Sequence, residues 1–107
     1  MSRYELGEAI ATRVLMLEVD GPNTSEVIVS LGKPQQDGRD VYCTYEIKGA
    51  GRAKVMRVYG VDGFQAIVLA ITALRAEIEA LNKEFDGKLQ WEAGPVNDFG
   101  SPPHDQA

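Results

Sequence analysis

Apolar residues recur at Phe64, Ile67, Val68, Ile71, Leu74, Ile78, Leu81 and Phe85, the spacing of one face of a helix. This pattern predicts one long helix from Val61 to Phe85. Asp62 suits its N-cap, because a carboxylate accepts orphan N–H groups of the first turn. Gln65 stands three residues on, so Asp62 and Gln65 read as a capping pair. Gly87 is the expected stop. Ala66, Leu69, Ala70 and Ala73 make the first half apolar nearly all round, which predicts that it is the more deeply buried half. Arg75, Glu77, Glu79, Lys83 and Glu84 mark the second half as partly exposed. A helix of this length is marginal alone in water. Each large residue of its face gains roughly 1.5–3 kcal/mol from burial, so the helix needs a partner surface.

The other periodicity is that of strands. Val41, Cys43, Tyr45 and Ile47 alternate with Tyr42, Thr44, Glu46 and Lys48, the cleanest strand pattern in the chain. Ile10–Val19 reads as a first strand, apolar on both parities at its centre. Glu26–Leu31 is a second, Arg52–Tyr59 a fourth and Lys88–Glu92 a short fifth. Turn residues fill Asp20–Ser25, and Gly49-Ala50-Gly51 is a tight turn. Gly32–Asp40 reads as a long polar loop, of the kind that is often functional. The order β-β-β-β-α-β predicts an α+β fold: an antiparallel sheet of about five strands with one long helix across one face. The fifth strand is placed beside the first, with parallel pairing to the fourth as the alternative. One helix cannot cover five strands, so apolar sheet surface is left over, and such surface predicts a homodimer.

The length of 107 residues sets one domain. It is assigned to residues 10–100, with an irregular lead-in over 1–9 and a disordered tail over 101–107. A net charge of −5 argues against nucleic-acid binding and against adhesion to anionic membranes. No apolar run approaches the roughly 20 residues of a membrane span. The N-terminal residues lack the apolar core of a signal peptide. The single cysteine, Cys43, excludes an internal disulfide. Together these features point to the cytoplasm.

Candidate chemistry is thin. Lys48, Arg52, Lys54 and Arg57 form a basic run around the Gly49–Gly51 turn. It reads either as a patch for phosphate or for an acidic partner, or as a solvated hairpin that deters edge pairing. Trp91 and Phe99 flank a turn-rich stretch, as interface anchors or as lids on the core. Asp62 and Gln65 are explained as a helix cap without invoking a ligand. Cys43 lies among apolar residues with no histidine or cation beside it in the sequence, which describes an inert thiol. The one histidine, His104, sits in a proline-flanked tail. No catalytic, metal-binding or cofactor-binding set emerges.

Three stretches carry a resemblance. They are Gly60-Val61-Asp62-Gly63-Phe64-Gln65-Ala66-Ile67, the strand Asp40–Gly49, and Leu89-Gln90-Trp91 followed by Asp98-Phe99-Gly100. In these the chain resembles a family of short uncharacterised bacterial proteins defined only as a domain of unknown function. The likeness covers about residues 10 to 100. It implies the same fold and a bacterial source, and it implies no activity. The expected function is a non-catalytic protein–protein interaction module of adaptor or immunity type. The alternative is a small-ligand-binding or enzymatic domain with a pocket between helix and sheet.

Overall fold

The computed structural model describes residues 4–100. The expectations for residues 101–107, His104 among them, and for the first three residues lie outside the described residues. Six strands and one helix follow in order: β1 Ala9–Asp20, β2 Asn23–Gly32, β3 Gln35–Asp37, β4 Asp40–Gly49, β5 Arg52–Gly60, α1 Gly63–Glu84 and β6 Leu89–Gln90. All strand pairs are antiparallel. The fold is α+β, with the helix on one face of the sheet.

The sixth strand comes from the stretch expected to be a loop. β3 pairs with β4 on the same side as β2 does. Leu31 lies opposite Tyr45, whereas Gln35 lies opposite Tyr42. The residue offset is taken up between Gly32 and Pro34, so β3 prolongs β2 past a bulge. The sheet therefore has five lanes: β5, β4, β2 with β3, β1, and β6. β6 lies beside β1, with Leu17 opposite Leu89 and Met16 opposite Gln90. That is the predicted place of the last strand. The β4–β5 hairpin turns through Gly49, Ala50 and Gly51, all three at positive φ, where glycine carries little steric cost.

Alternation sorts the strands into two faces. Leu15, Leu17, Val27, Val29, Cys43, Tyr45 and Ile47 point toward the helix and are buried. The even residues of β4 point the other way. Part of that second face is covered by the lead-in: the Thr44 hydroxyl donates to the Leu6 carbonyl at 2.8 Å, and the Lys33 N–H donates to the Glu8 carbonyl at 2.8 Å. Thr44 is accordingly buried although polar, and its hydroxyl is satisfied.

Asp62 caps the helix, its carboxylate accepting from the Gln65 N–H at 2.8 Å. The Gln65 side-chain Oε1 accepts from the Val61 N–H at 2.8 Å, one residue before the cap. α1 then packs chiefly on β4 and β5. Its buried residues are Ala66, Ala70, Leu74, Ile78 and Leu81. This reverses the expected distribution. The large apolar residues of the first half face outward, and the deep contacts of that half are alanines. The reason is proximity: a Cβ placed on Gly60 would lie 2.5 Å from the Ala66 backbone nitrogen. The helix starts with its backbone against the end of β5, where only small residues fit. Farther along, Leu74, Ile78 and Leu81 fill the interface.

Candidate interaction surface

The basic run does not form one patch. β5 residues opposite Ile47 and Gly49 face the helix, which places Lys54 and Arg52 there. Arg52 grips the Glu84 carboxylate with both terminal nitrogens, at 3.2 and 2.5 Å. That bond lowers the Glu84 pKa and raises that of Arg52. Lys54 pairs with Glu77 at 2.7 Å. The other Glu77 oxygen accepts from the buried Tyr45 hydroxyl. Burial first, and then Glu77, push the Tyr45 pKa upward. Lys48 and Arg57 lie on the opposite face. Arg57 stacks over Tyr42 at 3.9 Å and Tyr4 at 4.5 Å, which holds the lead-in down. Of the four cations, two tie α1 to β5, one anchors the lead-in, and Lys48 alone is left solvated on the sheet.

Trp91 and Phe99 come together through a residue far away in sequence. The Arg13 guanidinium lies 3.5 Å from the Trp91 ring centre and 4.5 Å from that of Phe99. It also donates to the Asp98 carbonyl. Burial lowers the Arg13 pKa, and the Asp98 charge opposes that effect. The C-terminal segment is thereby pinned to the Arg13 side chain of β1, and Val96 within it is buried. Both aromatics thus take part in an internal stack.

Cys43 is fully buried, and its thiol donates to the Gly32 carbonyl at 3.3 Å. Burial pushes its pKa up to about 11. At neutral pH it is a protonated, inaccessible thiol, which describes a packing residue. Among the described residues no three His, Cys, Asp or Glu side chains converge to hold a metal ion. The same residues include no helix long and apolar enough to cross a membrane.

Between α1 and the outer part of β1 runs a groove of about 210 Å³, lined by Ala11, Arg13, Leu31, Ile71, Leu74 and Phe99 among others. A smaller recess of about 140 Å³ lies over the Lys54–Glu77 pair. Both fall below the roughly 300–1,000 Å³ of usual small-molecule sites. An open depression of about 540 Å³ beside the end of α1 is lined by Ala76, Glu79, Asn82, Lys83 and Asn97 among others, with no buried titratable group aimed into it.

Two open surfaces stand out among the described residues. One is the outer flank of the first half of α1. Phe64 is 84% exposed, Val61 74% and Val68 60%. Phe64 and Val68, four residues apart, share one stripe of the helix, and Val61 stands just before the N-cap at the start of that stripe. Ile71, half-buried, continues the stripe into the groove. The other is the outer edge of β1 before Met16, where β6 pairing ends. Sequence reading placed Phe64 and Val68 on the buried face. The alternative signal was Ala66 and Ala70, a pair of small residues four apart that marks the side of closest approach.

The chain belongs to the family described as Domain of unknown function (DUF6968), which matches residues 11–103. No curated protein and no solved structure matches it.

Proposed function

We propose that this family member is a non-catalytic protein-binding module, with the Val61–Phe64–Val68 stripe as its docking surface. The observation that carries the reading is the exposure of Phe64, a large aromatic side chain on a rigid, capped helix. An aromatic ring left largely in water gains little from burial on folding, and aromatic anchors dominate binding surfaces. The net charge of −5 keeps such a chain dispersed despite the exposed stripe. A bacterial source, a cytoplasmic location and an adaptor- or immunity-like role fit this reading. The bacterial source rests on the family resemblance, and the location and role rest on size, charge and cysteine content.

The test is capture of one stoichiometric partner from native cell extract, comparing the wild-type chain with Phe64→Ser. The reading expects a partner that the variant binds about tenfold more weakly or worse. Equal capture by both chains would overturn it. So would a metabolite that raises the melting temperature of both chains alike, in the absence of any stoichiometric partner.

A further inference from the structure

We propose that the outer edge of β1 pairs with the same edge of a second copy, antiparallel, about a two-fold axis through Thr12. This rests on the reading of the chain as an interaction module, and it assigns the partner of the second open surface. The two edges of the sheet are treated differently. The β5 edge carries three cations, Arg52, Lys54 and Arg57. They are engaged with Glu84, Glu77 and the Tyr42 and Tyr4 rings but still line the edge with positive charge, of the kind that deters edge pairing. The β1 stretch Ala9–Leu15 holds no proline, and its one charge, Arg13, is drawn inward beneath Trp91 and Phe99. Ile10 and Val14 remain 48% and 44% exposed beside that edge.

The register follows from the two-fold. An antiparallel pair that continues a sheet keeps each face on its own side, so the axis must pass through a residue. The β6 pairing at Met16 limits the run at one end, and a bulge between Ala9 and Ala11 breaks the ladder to β2 at the other. An axis through Arg13 would set two arginines opposite each other, which is unfavourable. An axis through Ala11 would set Val14 against Glu8, which lies before the start of β1. An axis through Thr12 sets Ala11 against Arg13 of the second copy, and Ile10 against Val14. The exposed β-branched residues then cover one another, a favourable cross-strand pair. Thr12 meets its own copy, with Cα atoms at about 4.5–5.5 Å, a separation that a disulfide can span.

The experiment is sedimentation of the full chain at high micromolar concentration, together with oxidative cross-linking of cysteine variants. The expected result is a species of twice the 11.7 kDa chain mass. Thr12→Cys should cross-link to itself. Val14→Cys should not, but should cross-link when mixed with Ile10→Cys. Val14→Lys should give monomer, with the melting temperature that the wild-type chain shows when diluted to monomer. A wild-type chain that is monomeric throughout would overturn the proposal. A dimer in which Val14→Cys links to itself as fast as Thr12→Cys would also overturn it. A dimer broken by Phe64→Ser and untouched by Val14→Lys would place self-association on α1 instead. Partner capture that depends on Phe64 in a monomeric chain would leave the protein-binding reading standing while this one falls.

Discussion

The backbone of Ala66 lies so close to Gly60 that a methyl group on the glycine would sit 2.5 Å from the Ala66 nitrogen. This contact sets how α1 enters the sheet. It also decides that alanines, rather than Phe64 or Val68, face the core there. Gly60→Ala must push helix and strand apart. The expected cost is about 1–3 kcal/mol, the range for overpacking a filled site. Urea unfolding of the variant against wild type measures it. Ala66→Leu, inserted at the same contact, should cost at least as much.

Arg13 holds the C-terminal segment by cation–π contact with two rings and by a bond to the Asp98 carbonyl. Arg13→Ala should cost about 1–2 kcal/mol and release Trp91 from its stack. Arg13→Lys should not restore the contact, because an ammonium group lacks the flat face that stacks on a ring. The emission of Trp91, the one tryptophan of the chain, reports the change as a red shift in both variants.

Asp62→Ala removes the carboxylate that accepts from the Gln65 N–H. The expected loss is about 1 kcal/mol. Asp62→Asn should recover most of it, since an amide oxygen can accept the same bond. Thermal unfolding of the three chains checks both statements.

Much of the architecture was legible because local chemistry and tertiary placement agree. Asp62 and Gln65 announce the helix start, and the alternation from Val41 to Lys48 belongs to the strand that carries three neighbours. β3 was not legible, because Gln35, Gln36 and Asp37 are polar and exposed on both parities. Nothing in such a stretch records a ladder. The scatter of the basic run follows from register: Lys54 lies opposite Ile47 and faces the helix, whereas Arg57 lies opposite Thr44 and faces away. The stack on Arg13 joins residues far apart in the chain, and no spacing encodes it. The outward face of α1 was hidden for another reason. Its first half is apolar nearly all round, so periodicity there could not choose a side.

Alkaline pH should weaken the fold through two groups. Burial raises the Cys43 thiol to about 11, above the ordinary thiol value near 8.5. The Tyr45 pKa is also raised. A folded-state pKa above the unfolded one gives stability that is full below the unfolded value and is lost as pH rises toward the folded one. Stability should therefore hold through neutral pH and fall from about pH 9 toward 11. Cys43→Ala should lower the plateau and shallow the fall, as read by urea midpoints across pH. A thiol reagent should react with wild-type Cys43 only as fast as the protein opens.

Whether Phe64 serves a partner or the core is tested directly by the unfolding free energy of Phe64→Ser, with Leu74→Ala as the core reference. Leu74 is buried, and its truncation should cost about 2–5 kcal/mol. Phe64→Ser should stay within about 0.5 kcal/mol of wild type. A loss at Phe64 comparable to that at Leu74 would mean that the ring packs into the fold, and the docking stripe would be lost with it.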